Sequence, residues 1–176
     1  MTDALTPDTK DWTWVLDRPC PECGFDSRKL NHDDVPARLR HNAAAWPAVL
    51  AAPDAATRPR PQKWSPLEYA CHVRDVCRVY AERLRLMTTE TDPHYPNWDQ
   101  DATAVEQRYG EQDPATVARE LVESAEVLAA AFEQVGDWSR TGTRSDGAHF
   151  TIDTFARYLL HDPVHHLWDA TGRPAE

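Results

Sequence analysis

Long apolar runs are missing from this 176-residue sequence. No stretch approaches the roughly 18 uninterrupted apolar residues a membrane-spanning helix needs. Positive charge is scarce too: lysine occurs three times, and 19 basic residues stand against 29 acidic ones, for a net charge of −10. Nucleic acids and anionic membranes need a basic face, so neither is an expected partner. The opening "MTDALTPDTKDW" lacks a basic segment followed by an apolar one, so no signal peptide is expected. The four cysteines, Cys20, Cys23, Cys71 and Cys77, are then expected as reduced thiols in a cytoplasmic protein. No internal repeat and no convincing strand alternation is visible.

What is present suits one domain with a real core: 41% hydrophobic residues and seven tryptophans. The 16 arginines and abundant alanine hint at a high-GC bacterial genome and say nothing of mechanism.

Residues 1–32 read as an irregular N-terminal arm, with Pro7, Pro19, Pro21, Gly24, Trp12 and Trp14. Residues 33–176 read as the domain. A first helix is expected from Asp33 or Asp34, either of which can cap it, with Pro36 in its first turn and Pro47 bending it. "WSPLE" is the clearest start signal: Ser65 at the cap, Pro66 at the first position and Glu68 three residues after the cap form a capping box. That second helix should run to about Thr89. "TDPHYPNWDQDATAVEQRYGEQ" reads as a long connection of the kind that often carries function. A third helix starts at Asp113-Pro114 and stops at Gly136. A short hairpin is expected around Asp146-Gly147, and a fourth helix over about 152–170, stopped by Gly172. Four helices with long connections predict an all-α helical bundle.

"YLLHDPVHHLWD" carries three histidines in six residues. His161 and His165 are four apart, so a helix puts both imidazoles on one face, within reach of one divalent ion. His161 and His166 diverge by about 140° and pair poorly. Two ligands do not make a site. His72, inside the second helix, is the best candidate for a third; His32, His41, His94 and His149 fall at helix starts or in loops. On an ideal helix, His161 and His165 lie opposite the Ile152–Phe155–Leu159 stripe, which by itself predicts a solvent face. Tyr158 and Trp168 on the histidine face, and Pro163 between the two histidines, point instead to a helix buried on two sides with the histidines opening onto a pocket. A helical His pair is more often packing or surface than a ligand set, and His72 could equally be a hydrogen-bonded core histidine.

With these residues in view, the chain resembles the DinB/YfiT-like superfamily of four-helix-bundle metalloenzymes from about residue 33 to 170. "WSPLEYACHVRDVCRVYAERL" is similar to the family's second helix, "WDQDA" to a recurrent loop, and "HDPVHH" to the HxxxH of the last helix. The resemblance implies an up-down-down-up bundle with an open metal site on His72, His161 and His165, His166 not ligating, and zinc or nickel as the metal. Trp168 stands where the family often has glutamine. The resemblance also implies transfer of a low-molecular-weight thiol, mycothiol-like, to an electrophilic small-molecule substrate; a metal-dependent hydrolase and a non-catalytic ligand-binding bundle are the alternatives. Such bundles often dimerise, so a homodimer is compatible, although no apolar stripe marks its face.

Asp75, one turn beyond His72, could orient the imidazole through its second nitrogen. Glu68, one turn before it, is more simply a cap paired with an arginine. "CPEC" spaces Cys20 and Cys23 for zinc or a redox disulfide, but with no second CxxC the donor count falls short even with His32, and no strand–helix frame of thioredoxin type surrounds it. A structural pair on the arm is the favoured reading, with a redox or minor metal pair as the others. Cys71 points about 100° away from His72, and Cys77 fits the buried stripe.

Overall fold

The computed structural model describes residues 11–174; the first ten residues of the expected arm, Pro7 among them, and the last two of the chain lie outside the described residues. Five helices follow the arm: α1 (Val35–Leu50), α2 (Pro66–Thr89), α3 (Gln100–Glu106), α4 (Pro114–Glu133) and α5 (Ile152–Thr171). The four long ones form the expected four-helix bundle. α4 and α5 each pack against both α1 and α2, while α1 and α2 touch each other little, so α1 sits diagonally from α2 and α4 from α5. Trp46, Leu121, Leu128, Phe132, Phe155 and Leu159 fill the centre and are fully buried.

Local chemistry accounts for the helix ends. The Ser65 hydroxyl accepts from the Glu68 amide at 3.2 Å, and the Glu68 carboxylate accepts from the Ser65 amide at 2.8 Å. This box starts α2 and typically contributes about 1 kcal/mol. Glu68 also takes the Arg58 guanidinium, so its capping and pairing roles hold together. Asp113 caps α4 through the Thr116 amide, and Thr151 forms a capping box with Thr154 at the start of α5. α4 stops three residues before Gly136. α1 departs from expectation, because neither Asp33 nor Asp34 caps it through its side chain. A 3₁₀ turn over His32–Asp34, itself capped by Asn31, feeds straight into the helix.

The sequence reading missed two features. The long connection contains α3, capped by Asp99, whose carboxylate accepts from the Ala102 amide at 2.9 Å. A small sheet joins β1 (His94–Tyr95), β2 (Thr141–Arg144) and β3 (His149–Thr151), in that order. β2 and β3 form the expected hairpin, and β1 adds to β2 in parallel. Strands of two to four residues are too short to show alternation. Gly142 lets β2 press onto the core, since a Cβ there would lie 2.8 Å from Met87 Cγ and 3.0 Å from the Tyr95 ring.

The described arm crosses α5. The Arg157 guanidinium donates to the carbonyls of Ser27 and Leu30, and the Ser27 hydroxyl donates to the Val15 carbonyl at 2.6 Å. α5 is therefore buried on two sides, by the bundle and by the arm. Among the described residues no helix is long and apolar enough to cross a membrane.

Candidate functional site

Each residue of an α-helix turns about 100°, so residues 161 and 165 form one ridge of α5 and residues 162 and 166 the next. The two ridges meet different partners. The 162/166 ridge faces α2, where His72 Nε2 lies 3.2 Å from both oxygens of Asp162. His166 Nε2 lies 3.8 Å from Asp162, and its Nδ1 contacts Asp169 at 3.1 Å. One donor atom from each of His72, Asp162 and His166 falls within 4.8 Å of the others. Trp98, from the loop before α3, stacks on His72 with centroids 5.4 Å apart and planes 7° apart. Tyr69 stacks on His166 at 5.0 Å.

The 161/165 ridge faces the arm. Donor atoms of Cys20, Cys23, His161 and His165 also lie within 4.8 Å of one another, and all four residues are buried. The structure therefore does not gather His72, His161 and His165 into one group. It places His72 with Asp162 and His166, and hands His161 and His165 to the cysteine pair. The physical reason is helix rotation: a step of one residue selects a different neighbour, and the arm occupies the side that His161 and His165 face. Asp75 does not orient His72 either. It accepts from Arg74 at 2.9 Å and from the Tyr109 hydroxyl at 2.6 Å, while His72 Nδ1 is buried with no hydrogen-bond partner. The carboxylate that orients an imidazole here is Asp169, beside His166.

Electrostatics suits Asp162 and the two histidines of the arm group to a cation, while burial holds the Cys23 thiol protonated in the metal-free protein. Desolvation opposes ionisation of Asp162, but the fields of His72 and His166 and the His72 hydrogen bond outweigh it, and its carboxyl is held well below the usual range. Burial, helped by His165, pushes His161 down to about 4, and burial with His166 lowers His165. Both are neutral near pH 7, the form that ligates a metal. Burial pushes the Cys23 thiol up to about 12, against the Phe25 amide, which favours the thiolate.

The two ridges border a cavity of about 610 Å³, a size typical of small-molecule sites. His161, Asp162, His165 and His166 line one wall; Tyr80, Arg83, Trp98, Arg144 and Tyr158 line others, and Asp11 and Trp12 of the arm close it. Arg144 is paired with Asp146 at 2.9 Å. Arg83 is buried between the Tyr80 and Tyr95 rings and donates to the Pro96 carbonyl at 2.9 Å; no carboxylate pairs with it among the described residues.

The family sequence model described as the DinB superfamily matches residues 33–170, most of the chain. The chain belongs to the DinB superfamily. A solved structure, YfiT from Bacillus subtilis, described as a probable metal-dependent hydrolase with an unusual four-helix bundle topology, superposes with a TM-score of 0.64. It shares 20% identity over 95% of this chain and 90% of its own, a likeness of fold. No curated protein matches the chain.

Sequence reasoning missed Asp162, Asp169, Trp98 and Arg83, and it set His166 aside as non-ligating, whereas the structure groups it with His72 and Asp162. Asp162 and His166 carried a visible signal, since a carboxylate and an imidazole four apart share a helix face as two histidines do. Arg83 carried none, because its burial without a counter-charge is a property of the folded chain.

Proposed function

We propose that this DinB-superfamily protein is a metal-dependent hydrolase of a small molecule bearing an anionic group. The observation that carries the reading is the convergence of two imidazoles and one carboxylate, His72, Asp162 and His166, the last two lining a cavity that also presents an uncompensated arginine. Two histidines with one carboxylate is a donor set of hydrolytic zinc enzymes, which leave further positions open. The residues fit a divalent cation: His72 is buried, with its Nε2 beside the Asp162 carboxylate. Asp162 is ionised, and Asp169 backs His166 in the carboxylate–histidine arrangement that fixes ring orientation at metal sites. Zinc and nickel both suit these ligands.

When bound, the cation supplies Lewis acidity, which acidifies water or a thiol and polarises a substrate oxygen. The chain's own residues do the rest. Trp98 covers His72 and keeps bulk water from that face. Arg83 holds the anionic group of the substrate, at low cost because the guanidinium is already desolvated. Tyr80 and Tyr158 bound the space between them.

The thiol-transfer reading, with a mycothiol-like co-substrate, uses the same cation and rests on the family resemblance. A screen of carboxylate- and phosphate-bearing esters and amides, run on zinc- or nickel-loaded protein with and without added thiol, tests both. Turnover without thiol, abolished in His72→Ala, is expected. Turnover only with thiol would replace hydrolysis by transfer. Full activity in both His72→Ala and Asp162→Ala would overturn the metal site itself.

A further inference from the structure

We propose that Cys20, Cys23, His161 and His165 form a second, structural zinc site that clamps the N-terminal arm to α5. Four buried donors, two sulfurs and two nitrogens, lie within 4.8 Å of one another although 138 residues separate Cys23 from His161. Cys2His2 is a closed donor set for structural zinc, with no position left for substrate. This site is separate from the His72 group and does not depend on its chemistry.

The local build agrees. Cys20 and Cys23 sit on a tight turn in which the Cys20 amide donates to the Phe25 carbonyl at 2.8 Å and the Gly24 amide donates to the Cys20 carbonyl at 3.0 Å. Gly24 takes a φ of +81°, a left-handed conformation that costs glycine little, and this reversal brings both sulfurs to the same side. His165 Nδ1 lies 3.7 Å from Cys20 Sγ. Its Nε2 is backed by Glu22 at 3.6 Å and Asp169 at 3.7 Å, the carboxylate support that metal-ligating histidines usually have. His161 Nε2 is buried with no hydrogen-bond partner, a costly state for a polar atom that a ligand bond would relieve. Trp12, Trp14 and Phe25 pack around His161 at ring distances of 5.3 to 6.3 Å, giving the site an apolar shell.

Charge balances as well. Binding one zinc ion releases the two thiol protons to solvent, and the resulting thiolates cancel the dication, so no net charge is buried. The clamp has a consequence for the cavity, because it fixes the stretch of arm from which Asp11 and Trp12 reach the cavity wall.

Cobalt(II) substitution with site-resolved thiol alkylation tests the proposal on the full-length protein. His72→Ala isolates the second site. The expected result is one tightly held cobalt ion with an intense thiolate-to-cobalt charge-transfer band, which persists in His72→Ala and is lost in Cys20→Ser and His161→Ala. Bound zinc should slow alkylation of Cys20 and Cys23 at least tenfold, leaving the rates at Cys71 and Cys77 unchanged. Should the cysteine variant fail to fold, the band and the alkylation pattern of His72→Ala still decide. A Cys20–Cys23 disulfide in metal-free, air-protected protein, or cobalt bound without thiolate absorption, overturns the proposal.

Discussion

The Asp162–His166 ridge of α5 and the His161–His165 ridge are one residue apart in sequence, yet they face different surroundings. The first meets His72 of α2 and a cavity that holds Arg83, and its donors are two imidazoles and a carboxylate. The second meets the arm, and its donors are two imidazoles and two thiols in an aromatic shell. The difference teaches that spacing on a helix proposes donors while the neighbour across the interface assigns them. Three protein donors leave a coordination position open for chemistry, whereas four close the set and leave room only for structure.

The comparison can be broken first at His72. His72→Ala should lower turnover by at least about a thousandfold by removing a cation ligand, and leave the arm site loaded. Metal analysis and activity assays check this; loss of both ions together would mean one shared site. The cysteine pair comes next. Cys20→Ser with Cys23→Ser should lower the melting temperature by roughly 10 °C, since a structural metal contributes folding free energy and about 1 kcal/mol shifts Tm by 2–4 °C at this size. Calorimetry reads the shift, and an unchanged Tm would remove the clamp.

Asp169 lies between the two groups, 3.1 Å from His166 Nδ1 and 3.7 Å from His165 Nε2. Asp169→Asn should weaken cation affinity at the His166 site by about 10- to 100-fold, the usual effect of losing a supporting carboxylate, while both ions still bind at saturation. Competition with a chelator measures this. Glu68 serves as a control away from both sites. Burial opposes its ionisation, but Arg58 and the Ser65 amide outweigh burial and lower its pKa. A lowered carboxyl contributes stability that is present above its unfolded value of 4.5 and lost as pH falls through the folded one. The Tm gap between wild type and Glu68→Gln should therefore be open at pH 7 and shrink progressively as pH falls below 4.5, with both metals retained at pH 7.

Much of the fold was legible because it is written locally. Ser65, Pro66 and Glu68 announce α2, and Thr89 ends it as expected. Gly172 ends α5. The small sheet was not legible, since β1 pairs with β2 across about 50 residues and neither strand is long enough to show a pattern. Of the candidate site, the sequence singled out His72 and the last helix, while the structure groups His72 with Asp162 and His166 and not with His161 and His165. Reading His161 and His165 as partners of His72 required the rotation of α5 about its axis, which the arm and α2 fix together. Cys20 and Cys23 looked short of donors because their partners lie near the other end of the chain. Tyr158 and Trp168 on the histidine face did point to a helix buried on two sides, and the arm supplies that second cover.

The central claim is that α5 serves two cation sites, one on each ridge. Anomalous scattering at the zinc edge from crystals grown with zinc tests it most directly. The account predicts two peaks, one among His72, Asp162 and His166 and one among Cys20, Cys23, His161 and His165. A single peak shared by His72, His161 and His165, or no peak at either group, would contradict it.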